Sequence, residues 1–590
     1  MKWDLTYLFK TEEEFEQAFN ALGAYASLFA SYKGKLGDKE SFLAYLDLLE
    51  KFECELSRVY QYAHLRSDLN KKDIAAAASV QKCMMLLAGI QQATSFEEPE
   101  ILSVGYEKVM SFIDSSKKHE QFRFTMEKLF RHNEHVLDEK REQILANFSE
   151  LSGTGSELYS SLSVADSKVE YIKLNGVKTP VTQGNWRGLI ADSTSAKDRK
   201  KIFEAIYKFY DDHKNAYANI YQAVLKADKA NADSRNYSSI LESHLFRNNI
   251  PTSVYTSLVE VASTKNASLK KYIKLRKKYL GLSRHNTYDR FLELAHSNKK
   301  YTYEEAKEIF FEAIKNTPAD FREKAHEVLK DGFVDVYEQD GKRSGAYSSS
   351  MPNLHPYILL NYSDTLDDVF TVAHEAGHSI HSMYAASAQP TMLQDYTIFV
   401  AEIASTFNEH LLLDYFIASG NATTDEKIML LQKAIDEIYS TFYRQTLFAE
   451  YELRASQLVE QNKPINHEVL SNIMIDLYKQ YYGLDITKEG LKKYVWAYIP
   501  HLFYTPFYVY QYATSFAASF ALYKQVKAGG VDAFNNYTKL LKSGGSKYPV
   551  EQALEAGVDF TKTDAFLAVV ERIDELVAEL EKVLFEKYGY

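Results

Sequence analysis

His374-Glu375-Ala376-Gly377-His378, preceded by the apolar-rich run Val369-Phe370-Thr371-Val372-Ala373, is the stretch from which the rest of the chain can be read. Its apolar flanks predict a helix, on which the two histidines stand one turn apart on one face with Glu375 beside them. Neutral imidazoles suit Zn²⁺, and a catalytic site takes three protein ligands and keeps a fourth position for water, whose pKa the metal lowers to about 7. Glu375 adds a general base. The pentapeptide therefore predicts peptide-bond hydrolysis at one zinc ion per chain.

The competing reading is two surface histidines on an ordinary helix, and three features oppose it. In a buried helix, imidazoles need a metal or hydrogen-bond partners. Gly377 costs about 1 kcal/mol relative to alanine in a helix interior, which implies the close approach of another backbone. A third ligand is also available downstream. The extended pattern H-E-x-x-H-x-x-G-x-x-H needs glycine at 381 and histidine at 384, whereas the chain has His381 and Tyr384, so that branch is excluded. An acidic ligand on a second helix is the other solution. In Phe399-Val400-Ala401-Glu402-Ile403-Ala404-Ser405-Thr406-Phe407, Glu402 is the only charged residue. Zinc would supply its missing counter-charge, a buried salt bridge being the alternative. Asp395 and Glu409 are the other carboxylate candidates.

At 590 residues the chain has room for two or more domain-sized units. A net charge of −11 argues against a nucleic-acid partner, and the run from Lys270-Lys271 to Lys277-Lys278 reads as a solvated helix face. Two cysteines, Cys54 and Cys83, give no disulfide framework, as expected of a reducing compartment. No apolar h-region follows Met1, and no uninterrupted apolar stretch approaches 18 residues, so a cytoplasmic location without a membrane partner is expected. Only 11 prolines and 24 glycines favour helices over a turn-rich β fold. The sequence carries no signal for oligomeric state.

Amphipathic helices are expected from about Thr11 to Phe148. Two β-prone runs flank Asn175-Gly176 between 168 and 183, a hairpin signal. This seam divides an N-terminal helical lobe, 1–195, from a catalytic part, 196–590. Helices resume after Ser195, and Val334–Tyr337, Gly345–Ser348 and Tyr357–Tyr362 read as strands just before the histidine helix. An exposed strand edge could dock an extended peptide, or the strands could simply support the helix.

A second cluster lies between Tyr494 and Tyr512. His501, Tyr504, Tyr508, Tyr510 and Tyr512 include suitable donors to a developing oxyanion, although most such rings pack the core. Thr505-Pro506 predicts an N-cap followed by proline at the first helical position, which would put Tyr508 and Tyr512 on one helix face.

Taken with Trp3-Asp4-Leu5, Gly345-Ala346-Tyr347, Pro356 to Tyr362, Tyr443-Arg444-Gln445, Phe448-Ala449-Glu450, Ser543-Gly544-Gly545-Ser546, Pro549 and Ala556-Gly557-Val558-Asp559, these segments resemble oligoendopeptidase F within the thimet-oligopeptidase-like zinc metallopeptidases. The resemblance covers most of the chain. It implies a mostly α, two-lobed, multi-helix zincin-type body with a small β-sheet beside the zinc helix and a deep central channel that admits short oligopeptides. It also implies zinc on His374, His378 and Glu402, with Glu375 as base. His and Tyr residues of the late segment would hold substrate and oxyanion. His501 and Tyr508 are the choices here, with Tyr504, Tyr510 and Tyr512 open. The function expected is a zinc endopeptidase for oligopeptides. Alternatives are a carboxypeptidase or dipeptidyl carboxypeptidase on the same scaffold, and a non-catalytic helical peptide-binding scaffold.

Overall fold

The computed structural model describes residues 2–420 and 422–589. Helices dominate it, and among the described residues the strands form one hairpin and one three-stranded sheet. The mostly α class is therefore observed, with the small sheet where the sequence places it.

The chain forms two compact units, neither of them continuous. The first joins Met1–Glu134, Lys299–Tyr415 and Leu522–Val558; the second joins His135–Asn298, Phe416–Ala521 and Asp559–Tyr590. The junction expected at 195/196 thus falls inside the second unit, where the helices Trp186–Ala191 and Ala196–Asp212 pack on each other.

In the first unit, β3 (Val334–Tyr337) runs parallel to β5 (Tyr357–Tyr362), and β4 (Tyr347–Ser349) runs antiparallel to β5 on its other side. Tyr357, Ile358, Leu359 and Leu360 are all buried, as befits a central strand covered on both faces. Trp3 is buried against the sheet. Its indole N–H donates to the Ile358 carbonyl at 2.8 Å, and its ring meets Tyr357 edge-on at 6.0 Å. The opening Trp3-Asp4-Leu5 is thereby a structural anchor for β5. Asn361 donates from Nδ2 to the carbonyls of Arg343 and Gly345, holding the loop before β4.

Helical structure between Ile74 and Val104 is long and apolar enough, by length and composition, to cross a membrane, with a mean hydropathy of 1.3. The helix Ile74–Ala93 buries Ala76, Ser79, Cys83 and Ile90 and packs on the helix Lys39–Leu69.

The second unit carries the hairpin β1 (Glu170–Leu174) and β2 (Val177–Val181), turned at Asn175 (φ 50°) and Gly176 (φ 84°). Positive φ at both central residues is what the Asn-Gly signal predicts for a tight hairpin. Further along, the helix Thr424–Glu437 packs on Asp564–Tyr588 and continues through a π-helical stretch, Ile438–Tyr443, into Arg444–Glu460.

Candidate functional site

Thr365 starts the histidine helix (Leu366–Ala388) by a reciprocal cap: its side chain accepts from the Asp368 amide, and the Asp368 carboxylate accepts from its own. Val369, Phe370, Val372 and Ala373 are buried below the motif. At Gly377 the reason for glycine is steric. A Cβ there would lie 2.5 Å from the Ala404 carbonyl oxygen and 2.6 Å from Ser405 Cα, both backbone atoms of the Glu402 helix (Ile398–Ala418). The two helices thus cross at backbone contact. Asn408 Nδ2 donates to the Ala373 carbonyl at 3.0 Å and fixes their register.

That crossing brings the ligand candidates together. Glu402 Oε2 is 3.5 Å from His374 Nε2 and 3.5 Å from His378 Nε2, and the three donor atoms lie within 4.8 Å of one another. The other nitrogen of each ring is already engaged. His374 Nδ1 is 2.5 Å from Glu409 Oε1, and the His378 ring hydrogen-bonds the Ala401 backbone. Ser405 Oγ donates to Glu402 Oε2 at 3.0 Å. Two imidazole nitrogens and one carboxylate oxygen converge with their outer partners in place, a donor set that fits zinc.

His374, His378 and Glu402 expose only 26%, 19% and 24% of their side chains, which puts them in strong mutual tension. Burial works against a charge on His374, yet the bond to Glu409 and the neighbouring Glu375 and Glu402 lift its imidazole to about 9. Burial and the charge of His374 push His378 down to about 4. Glu375 is 6% exposed. Burial raises its carboxyl to about 7, with His374 opposing and Glu402 and Glu409 adding, while the backbone of Ser348 on β4 hydrogen-bonds to it. The edge strand β4 therefore touches the general-base candidate directly. Ser348 Oγ also lies 2.8 Å from Ser379 Oγ on the histidine helix.

Neither of the other acidic candidates joins the trio as a ligand. Glu409 contacts the far nitrogen of His374, and Asp395 Oδ1 accepts from the Tyr396 amide. His381 is fully buried and stacks on Tyr396 at 3.7 Å; its ring nitrogens have no hydrogen-bond partner, and burial pushes it to about 3, leaving a neutral packing ring.

In the second unit the late segment departs from expectation. Pro506 does not begin a helix: Phe507 adopts φ 56°, and the next helix starts at Tyr510. The Phe507 amide instead donates to the buried carboxylate of Glu452 at 2.7 Å, and this contact holds the left-handed turn. Tyr508 therefore lies outside the helix, and the i, i+4 pairing with Tyr512 is absent. The rings meet all the same. His501 stacks with Tyr508 at 5.8 Å, and Tyr512 stands edge-on to His501 at 6.1 Å and to Tyr508 at 5.5 Å. All three are half-buried. Tyr504 is exposed and packs on Tyr159, and Tyr510 is buried against Tyr255, so neither joins this cluster. Burial and the charge of Arg444 lower the His501 imidazole.

Two contributors escaped sequence reasoning in their actual roles. Glu409 lies seven residues beyond Glu402, two turns on the same face, and that spacing was the available signal for a partner to His374. Gly544 (φ 49°) abuts the segment leading into the Glu402 helix: a Cβ there would fall 2.1 Å from the Leu393 carbonyl oxygen, and the Gly545 amide donates to the same oxygen.

The profile of peptidase family M3 matches residues 189–572, and that of the oligopeptidase F amino-terminal family matches residues 100–168. Oligopeptidase PepF of Bacillus subtilis (strain 168) is 36% identical over 99% of this chain and 87% of its own length. A crystal structure of a protein from Chlamydophila abortus superposes with a TM-score of 0.90 at 31% identity, covering 99% of this chain and 98% of that one. The crystal structure of oligoendopeptidase-F from Enterococcus faecium gives a TM-score of 0.76 at 28% identity, covering 98% of this chain and 99% of that one.

Proposed function

The chain belongs to peptidase family M3 and is a metallopeptidase of the oligoendopeptidase F kind, acting on oligopeptides; from that premise we propose that His374, His378 and Glu402 hold one zinc ion and that Glu375 is the general base. The observation carrying this reading is the convergence of His374 Nε2, His378 Nε2 and Glu402 Oε2, with the remaining ring nitrogens tied to Glu409 and Ala401. Bound there, zinc supplies Lewis-acid polarisation of the scissile carbonyl and acidifies water.

The protein's own groups do the rest. Glu375, one residue round the helix from His374, takes the proton of the attacking water and later returns it to the leaving amine. The Ser348 backbone contact holds that carboxylate, and β4 offers an extended substrate an edge beside it. His501 and Tyr508 donate to the developing oxyanion. Their mutual stacking supports this choice, and Tyr512, which meets both rings, is the alternative donor. Two free thiols, Cys54 and Cys83, support a cytoplasmic location as part of the same proposal.

Incubating metal-replete and chelated protein with a mixed peptide library, half of it amidated at the C-terminus, tests the reading. Internal cleavage of both halves, lost on chelation, is expected. Trimming restricted to free C-termini would instead indicate a carboxypeptidase.

A further inference from the structure

Away from the metal trio, and entirely within the second unit, four basic side chains line one cavity open to solvent: Arg187, Arg290, Arg444 and Lys492. No carboxylate lines it, and among the described residues none of the four has a carboxylate oxygen within 4.0 Å. Arg187 is exposed at the mouth, Arg290 and Arg444 are half-buried, and Lys492 is 8% exposed. Aromatic groups take the place of counter-ions. Lys492 Nζ donates to the Tyr207 hydroxyl at 2.9 Å and stands 4.9 Å above that ring and 5.7 Å from the centroid of Tyr478. Arg290 lies over Phe291 and Tyr439, and Arg444 over Phe448.

The carboxylate acting on Lys492 is Glu489, which accepts from the Thr287 amide at 2.9 Å and hydroxyl at 2.6 Å. Burial also raises the Glu489 carboxyl, so it offers the cavity little negative charge. Burial, followed by repulsion from Arg444, holds Lys492 well below the usual lysine range, and burial followed by Arg290 lowers Arg444. Bringing like charges together in a walled cavity is unfavourable unless a group gives up its proton, the direction in which Lys492 is driven, or an anion occupies the space between them. Planar guanidinium forks match the oxygens of a phosphate or carboxylate better than they match a halide.

We propose that this cavity is a binding site for a compact oxyanion, held by Arg290, Arg444 and Lys492 with Arg187 at its mouth. The site does not depend on the peptidase reading. Its occupant is either a free anion such as inorganic phosphate or the carboxylate end of a peptide, which share this chemistry.

Thermal unfolding of the full zinc-loaded chain, titrated with inorganic phosphate against chloride at matched ionic strength, tests the proposal. Wild type is expected to gain about 1 °C at a tenfold excess over Kd. Arg444→Met and Arg290→Met should each lose that gain, and neither should unfold earlier than wild type in phosphate-free buffer, because each relieves repulsion. Arg284→Met, outside the lining, should keep the gain. Broadening of the phosphate ³¹P resonance by wild type but not by the two lining variants is the second readout, and it is usable even if one variant folds poorly. Suppression of the gain by a saturating peptide with a free C-terminus, but not by its amide, assigns the site to peptide carboxylates; suppression by neither assigns it to a free anion. No gain in wild type, a gain undiminished in both lining variants, or an equal gain from chloride overturns the proposal.

Discussion

Glu409 Oε1 lies 2.5 Å from His374 Nδ1, so the carboxylate two turns beyond Glu402 on the same helix orients the first histidine of the trio. One helix thus contributes both a ligand candidate and the group that fixes the ring of another. Outer partners of this kind set ring orientation and ligand basicity.

Glu409→Gln preserves the shape of the side chain and removes its charge. Zinc affinity is expected to fall by about 10–100-fold, read by competition with a chromogenic chelator. Unchanged affinity would make the contact incidental.

Gly377→Ala sets two effects against each other. Helix propensity alone predicts a gain of about 1 kcal/mol. The added methyl would sit 2.5 Å from a backbone oxygen of the neighbouring helix, and overpacking of this kind typically costs about 1–3 kcal/mol or more where the neighbour is backbone. Net destabilisation in urea unfolding, together with weaker zinc retention, is expected because the Glu402 helix must shift. A more stable variant would refute the close crossing.

Glu452 provides a pH test remote from the trio. It is 1% exposed, one of its oxygens accepts from Phe507, the other has no partner, and burial raises its carboxyl to about 8. In the unfolded chain the pKa is about 4.3. Between these values the folded state keeps a proton that the unfolded state has lost, so this group's contribution to stability falls as pH rises from about 4.3 to about 8 and is level above that. The change is on the order of a few kcal/mol. Glu452→Gln keeps the acceptor for Phe507 and should flatten the stability profile over that window, with the variant the more stable at pH 8.5. Identical slopes would show that Glu452 is ionised throughout.

Tyr508→Phe removes one hydroxyl and leaves the stacking on His501 in place. A loss of about 10²–10³ in kcat with little change in KM is expected if it donates to the oxyanion. Should kcat survive, Tyr512→Phe is the next variant. If both keep their rates, the tyrosine assignment fails.

The convergence of His374, His378 and Glu402 was legible because the chemistry that selects them is local. Two histidines at helical spacing need no long-range information, and Glu402 stood out as one charge in an apolar run. Gly377 likewise signalled a backbone approach that the crossing at Ala404 and Ser405 supplies. The Asn175-Gly176 hairpin and the three strands were readable from turn chemistry and alternation. What escaped depends on distant partners. Pro506 favours a helix start by its own geometry, but the buried Glu452 carboxylate, more than 50 positions earlier in sequence, captures the Phe507 amide and turns the chain the other way. Gly544 has its reason in the Leu393 carbonyl. The composition of the two units could not be read either, since the packing that joins 1–134 with 299–415 leaves no mark in either stretch alone.

The most direct test of the central claim is the paired measurement of zinc content and kcat in Glu375→Gln and Glu402→Gln. Glu375→Gln should retain one zinc per chain and lose several orders of magnitude in kcat, since it removes the base and leaves the ligands. Glu402→Gln should lose zinc and activity together. Near-normal turnover in zinc-loaded Glu375→Gln, or full zinc occupancy with unchanged turnover in Glu402→Gln, would contradict the account.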